Sequence, residues 1–545
     1  MTANASSSSV ESRPETRIDL QAVRLLPPLP AAWLAGRDLD LLSPLSFLPA
    51  GKLPSSTPAL PGARRELSEA LAVANRGYGN PNADRLAKKL ADPATRVIVA
   101  GQQPGLFGGP LYSFSKLIAA GRWAAALEEQ GEPAVAVYWV ATEDHDWAEV
   151  SQTVVLAPDG PKAFDLGPDP EPLTPVGLRT MGPAVTDVLR AISEAVPGDR
   201  YAEWLAALAR WYRPDARFGE AFCHLMANLA GPHCPLLLDS MLPALKAAQK
   251  PWLRRLIERR KEVEEALARR DGEIEARGYP LQVTPQRGSS PLFLLHGRER
   301  RKISWRGDED CYMLRGREDC AGSAADLLRI VDENPGALSP GVLARPAIQD
   351  AVLGTCLQVL GPGELSYMAQ AAATHAVLEV EPAWVSLRPQ ALVLETHLIE
   401  KLSEIGLSLT DLLGDPHGLD KKLAERAGGD FVAPVRGRVE EALAGLRDPA
   451  LAADPNLERP FDKTREQILR ALDLFADKAV SAAARRDEVA NRRVRQLRDI
   501  CLPLGKPQER VISTAHFQGK YGERFAESFW DQMELDPEHL QVISP

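Results

Sequence analysis

The stretch Val97-Ile-Val-Ala-Gly-Gln-Gln-Pro-Gly-Leu-Phe-Gly-Gly-Pro-Leu-Tyr112 is followed, one helix length later, by Tyr138-Trp-Val-Ala-Thr-Glu-Asp-His-Asp146. An apolar run ends in a glycine-rich bend. A helical segment rich in Ala and Leu extends from about Pro110, suited to a first helical turn, to Gln130, with Gly131 as its stop. A second apolar run, Ala134 to Ala141, then ends abruptly in three acids and a histidine. Runs that are apolar at every position, rather than every second one, suit strands of a parallel sheet buried on both faces. The pattern predicts a βαβ unit, and ligands of open α/β sheets bind outside the carboxyl ends of the strands. Both polar clusters are therefore expected to face one crevice.

Outward from this unit, a chain of 545 residues is too long for one ordinary core. Residues 1–90 read as an N-terminal tail and arm, Ser-rich to Asp19 and then Pro-rich, with one short helix over Arg64 to Asn75. Residues 91–395 read as an α/β, Rossmann-like parallel-sheet core carrying inserted segments at about 155–230 and 285–320. Within it, Cys234 to Asp239 reads as a buried strand and Leu242 to Arg277 as one long charged helix. Leu292 to Leu314 has the look of hairpins, and a strand ends near Leu360 before the bend Gly361-Pro-Gly-Glu-Leu-Ser-Tyr367. Residues 396–501 shift to Leu, Ala, Glu, Arg and Lys with apolar residues at helical intervals, such as Ile468, Leu472, Leu474 and Phe475. An α-helical hairpin or coiled coil is expected there, able to form a homodimer by burying its exposed stripe. Residues 502–545 are expected to return to the core.

Composition narrows the function classes. Hydrophobic residues at 45% and charged ones at 25% describe an ordinary soluble globular protein and argue against disorder. A formal net charge of -10 provides no basic footprint, so nucleic acid is not an expected partner. No apolar run approaches the roughly 18 residues of a membrane span, and the N-terminus lacks the apolar core of a secretory signal, so a cytoplasmic protein is expected. The six cysteines are scattered without a CxxC pair, which points to reduced thiols; Cys311 and Cys320 are the closest pair. No metal site is expected.

Gly101, Gly105, Gly108 and Gly109 allow the backbone to approach a ligand and to present amides at a helix start, where an anion is favoured. Their spacing matches neither a Walker A loop nor the GxGxxG fingerprint, and a tight turn without ligand is the alternative. Gln102 and Gln103 flank this bend. Lys116 on the following helix reads either as a phosphate contact or as a solvated lysine. Glu143, Asp144 and Asp146 repel one another unless water, a cation or an amine stands by, which marks a site, with a solvated turn as the alternative. His145 among them suits proton transfer. Asp239 and Glu364 are weaker candidates, because acids commonly cap helices. Cys356 reads as a core residue, and His224 and His233 as structural.

Ala100-Gly-Gln-Gln-Pro-Gly-Leu-Phe-Gly-Gly-Pro-Leu-Tyr112 with Lys116, Trp139 to Asp146, Arg345-Pro-Ala-Ile-Gln349, Gly361 to Tyr367 and Gln508-Glu-Arg510 together resemble the BshC family of bacillithiol biosynthesis. The resemblance extends from about Ala94 to the C-terminus. It implies a core similar to class I aminoacyl-tRNA synthetases and nucleotidyltransferases, with a coiled-coil domain supporting a homodimer. The implied activity is a cysteine ligase that adds L-cysteine to the amino group of glucosaminyl-malate, with ATP as cofactor and Mg²⁺ beside it. The mechanism expected on this reading places Glu143, Asp144, His145 and Asp146 in catalysis and Gln102, Gln103, Tyr112, Gln349, Glu364 and Tyr367 on substrate. It places Gly101, Gly105, Gly108, Gly109, Lys116, Gln508, Glu509 and Arg510 on the cofactor. The bend stands where the synthetases carry their HIGH signature, without its histidine pair, and no KMSKS-like loop follows. A nucleotidyltransferase acting on another small carboxylate or phosphate, and a non-catalytic nucleotide-binding scaffold, are the alternative readings.

Overall fold

Every residue from Ala134 to Val140 is buried, and alternate side chains enter two different cores. In the computed structural model, which describes residues 16–54, 63–284, 286, 288–307, 309–317, 319–426, 432–484 and 488–545, this run is one strand of a six-stranded sheet. The strands are β1 (Ser46–Phe47), β2 (Arg96–Gln102), β3 (Ala134–Val140), β4 (Leu236–Asp239), β5 (Thr355–Leu360) and β6 (Trp384–Leu387). They lie in the order β1-β6-β5-β2-β3-β4, and every neighbouring pair is parallel. The chain leaves β2 toward β3 but leaves β5 toward β6, so the loops diverge between β2 and β5 and open a crevice at their carboxyl ends. This is a Rossmann-like α/β core.

Six helices position the site: α1 (Tyr112–Glu129), α2 (Trp147–Val150), α3 (Pro243–Glu258), α4 (Arg260–Ala276), α5 (Arg345–Leu353) and α6 (Pro362–Leu378). Ile98, Ala136, Tyr138 and Val140 pack with Phe114, Leu117 and Ile118 of α1 on one face of the sheet. Val99, Val135, Val137 and Trp139 pack with Leu253 and Ile257 of α3 and Ile348 of α5 on the other. The period of two along each strand therefore feeds both layers, as an all-apolar run requires.

Several expectations are corrected. The compact unit that holds the sheet begins at Leu25, and β1 pairs with β6, so the described residues of 25–90 are built into the core rather than laid on it. Helices Pro28–Leu34 and Ala83–Ala91 accompany Ala63–Gly77 in this region; the first opens with a proline, whose fixed φ suits a helix start. Residues 1–15 of the expected tail lie outside the described residues. The single long helix expected after Leu242 is broken at Arg259, whose guanidinium is drawn to the Val377 carbonyl and to Glu379 at 2.9 Å. Helix α1 starts at Tyr112, because Pro110 bridges to Ser513 and the Leu111 N–H donates to Ile512 O at 2.9 Å. Cys311 and Cys320 are joined in a disulfide, against the expectation of reduced thiols, because the chain between them folds back to bring their Cα atoms to 5.7 Å. Cys223, Cys234, Cys356 and Cys501 lie outside the disulfide and are buried.

Residues 506–545 belong to the sheet's unit, where strand His539–Ile543 runs parallel to Gln390–Val393. A second unit contains residues 394–505 and the start of the chain. Its longest elements, α7 (Val432–Ala453) and α8 (Glu458–Ala484), form an antiparallel hairpin with ion pairs Arg447–Glu458 at 2.7 Å and Arg436–Asp473 at 2.8 Å. Leu446, Ile468, Leu474 and Phe475 of this hairpin are exposed. Among the described residues no helix is long and apolar enough to cross a membrane.

Candidate active site

The crevice between β2 and β5 is built around Lys116. This buried ammonium, projected from α1, donates to Gly101 O at 2.9 Å and Gln102 Oε1 at 2.8 Å, and pairs with Glu364 in the first turn of α6. Burial lowers its pKa, and the Glu364 carboxylate opposes that shift. Glu364 also accepts the Gly361 N–H at 2.8 Å, which caps α6. On α5, Arg345 donates to Gln349 Oε1 at 2.8 Å and to the Tyr367 hydroxyl at 3.0 Å. The structure thus gathers Gln102, Lys116 and Glu364 at the switch point, with Gln349 and Tyr367 held together by Arg345.

Toward β3 the two glutamines each hold an acid. Gln102 Nε2 donates to Glu149 Oε1 at 2.9 Å and lies 3.4 Å from the Tyr112 hydroxyl. Gln103 Nε2 donates to Asp144 Oδ2 at 3.0 Å. Burial, reinforced by the charges of Asp146 and Asp144, pushes the Glu149 carboxyl up to about 7. Burial and neighbouring Glu149 likewise raise the Tyr112 phenol. Asp144 Oδ1 accepts the His145 N–H at 2.7 Å and sits 3.6 Å from Arg300 Nη1. The His145 ring lies 3.4 Å from the same Nη1 and edge-on to Phe293. Burial and the Arg300 charge hold its pKa below the ordinary value, so the imidazole is neutral near pH 7.

Sequence reasoning assigns no role to Glu149, Arg300 or Arg345. The one local signal is the spacing Asp146 to Glu149, in which the Asp146 carboxylate accepts the Glu149 N–H at 3.2 Å and turns α2 back toward β2. Nothing in the sequence brings Arg300, on the strand Glu299–Trp305, beside His145.

The acidic cluster therefore divides. Glu143 is held in a buried ion pair with Lys246 of α3, and its N–H is taken by Ser240 Oγ at 3.1 Å. Asp146 is the cap of α2. Asp144 and His145 remain at the crevice.

The amides of the glycine bend have partners within the protein. The amide of Gly105 donates to Gln103 O at 2.9 Å, that of Gly109 to Leu106 O at 3.1 Å, and that of Gly108 to the Tyr212 hydroxyl at 3.1 Å. A bend whose amides are engaged in this way does not fit a triphosphate, and Lys116 is fully engaged beside it. The glycines serve backbone packing instead. A Cβ on Gly101 would stand 2.7 Å from Trp139 O, and one on Gly105 would stand 2.7 Å from the Gly109 Cα. Gln508 and Glu509 are buried clasps: Gln508 pairs with both backbone groups of Val393 at 2.8 and 2.9 Å, and Glu509 holds Arg388 at 2.6 and 2.7 Å. Their side chains are not open to a cofactor; Arg510 is exposed. Of the remaining candidates, Asp239 accepts the Met241 N–H at 2.8 Å, and Cys356 is core. His224 stacks on Trp211 and His233 on Trp530.

The chain matches the family model for the N-terminal Rossmann-like domain of bacillithiol biosynthesis BshC over residues 52–389, and that for its C-terminal coiled-coil domain over residues 391–543. Relatives carrying the name "Putative cysteine ligase BshC" include one from Solibacter usitatus, 31% identical over 84% of this chain and 86% of the relative. Others are from Salinibacter ruber, 28% identical over 89% of each chain, and Koribacter versatilis, 30% identical over 90% of this chain and 91% of the relative. On a match that takes in both the sheet and the helical hairpin, the chain belongs to the BshC family of bacillithiol biosynthesis.

Proposed function

We propose that the crevice joins the carboxyl of L-cysteine to the amino group of glucosaminyl-malate, forming the amide of bacillithiol. The observation that carries this reading is Glu149: a largely buried carboxyl, held by Gln102, that forms no ion pair among the described residues. An ammonium is the complementary partner. The substrate amine arrives protonated and attacks only after losing its proton, and a carboxyl near neutrality is suited to take it. Asp144, held by Gln103, would orient the same ammonium, while His145 stays neutral beside Arg300. The amine nitrogen then forms the new C–N bond to the cysteine carbonyl carbon as the bond to the activating group breaks; of the two protons the ammonium gives up, the first rests on Glu149 and the second leaves with the activating group.

Amide formation from a free carboxylate needs activation, and ATP with Mg²⁺ is the activating pair we propose. The glycine bend does not fit its phosphates, and the chain's own side chains carry the proton transfer. The name that the relatives carry supports the ligase class. We further propose that the chain is a homodimer through its helical hairpin, on the exposed residues Leu446, Ile468, Leu474 and Phe475.

Complementation tests the reading. The chain is expressed in a bacterium that makes glucosaminyl-malate but lacks its cysteine-adding enzyme, and the thiol pool is measured by mass spectrometry. Bacillithiol is expected from the wild type and not from a folded Asp144→Ala variant. A soluble, folded wild type that yields none refutes the ligase assignment.

A further inference from the structure

Beside the crevice lies a cavity of about 500 Å³, with Asp144 and His145 at its mouth and Leu267, Phe293 and Val342 among its apolar walls. Its cationic wall is one strand, Glu299–Trp305. Arg300 and Lys302 are two residues apart and so share a face, while Ile303 and Trp305 enter the core behind. A rise of about 3.3 Å per residue sets their Cα atoms roughly 6.6 Å apart. Arg300 is only 7% exposed and is fixed in place: Nε donates to Ser339 Oγ at 3.0 Å, Nη2 lies 3.3 Å from Pro340 O, and the guanidinium lies over the Phe293 ring at 3.8 Å. With five N–H donors on a guanidinium, this leaves some for a ligand. Lys302 pairs with no carboxylate among the described residues.

Two acids that also line the cavity, Asp271 and Glu264, form no ion pair with these cations among the described residues. Asp271 accepts the Gln370 amide at 2.8 Å, and Glu264 accepts the Gly288 N–H at 3.1 Å. Asp144, at the mouth, reaches only Arg300 and is shared with Gln103. Two cations at the wall of an apolar cavity, one of them without a counter-charge, are costly unless an anion joins them.

We propose that this cavity seats a small dicarboxylate, with Arg300 and Lys302 each binding one carboxylate and the rest of the ligand extending past Asp144 into the crevice. On the ligase reading, on which this identification rests, the dicarboxylate is the malate half of the acceptor, and its amino sugar reaches Glu149.

The test is titration of the full chain with L-malate and with its uncharged analogue malamide by calorimetry, beside acceptor kinetics. Malate is expected to bind and malamide is not. Lys302→Gln should weaken malate at least tenfold and raise the KM for glucosaminyl-malate similarly without moving the KM for cysteine, and Lys302→Arg should restore both. Malate binding no better than malamide, or a Lys302→Gln variant that binds like wild type, overturns the proposal. The two readings fail separately. Malate binding that is lost in Lys302→Gln, in a chain that makes no bacillithiol, keeps the cavity and removes the ligase. An unmoved acceptor KM in an active Lys302→Gln variant does the reverse.

Discussion

Glu149 is useful and costly for the same reason. Burial raises its carboxyl from 4.5 to about 7, so both its base form and its acid form are present near neutrality. As a base it works only when ionised, so kcat/KM should rise with pH through about 7 and level off above it. Glu149→Gln should remove that limb and lower turnover by about 10² to 10⁴. Stability follows the opposite sign. A folded-state pKa above the unfolded one means that the folded chain prefers the protonated carboxyl. That contribution is fully present below about 4.5 and is lost as pH rises through about 7. Glu149→Gln should therefore raise Tm at pH 8, where the wild type buries a charge, and change it little at pH 4. Calorimetry at the two pH values checks this, and an equal shift at both would assign the effect to packing.

At the scale of elements, the end of β3 shows what could be read in the chain and what could not. The strands themselves were legible because a run such as Ala134 to Val140 has no polar face to offer solvent. Their carboxyl ends marked the crevice for the same topological reason. Which acid works there was not legible, because it depends on what other elements bring. Helix α3 brings Lys246, which holds Glu143 in a buried ion pair, and the short turn of α2 brings Glu149 to Gln102. The partner of the glycine bend was not legible for the same reason, since the Tyr212 hydroxyl that accepts the Gly108 amide comes from a distant part of the chain. Two substitutions test these structural roles by urea denaturation. Lys246→Met leaves the Glu143 charge buried and should cost about 3–5 kcal/mol, most of it recovered when Glu143→Leu is added. Gly101→Ala forces a Cβ against Trp139 backbone and should cost about 1–3 kcal/mol by parting β2 from β3.

For the whole molecule, the division of the chain carries the last consequence. The helical unit leaves the core after Val393, and the chain re-enters at Lys506. Both edges of Val393 are hydrogen-bonded to Gln508, and Arg388 is clasped by Glu509, so the two points of departure are adjacent within the core. A unit inserted between adjacent points can be removed without stretching the frame that holds it. Residues 25–393 joined to 506–545 by a short Gly-Ser linker should therefore fold, because all six strands of the sheet and both of its cores lie within those residues. Circular dichroism and a cooperative thermal transition would show it. If the exposed apolar residues of the α7–α8 hairpin make the dimer contact, light scattering should find the full chain dimeric and the excised core monomeric. A dimeric excised core would move the contact to the sheet's own unit. A core that cannot fold would mean that residues 394–505 supply stability as well as assembly.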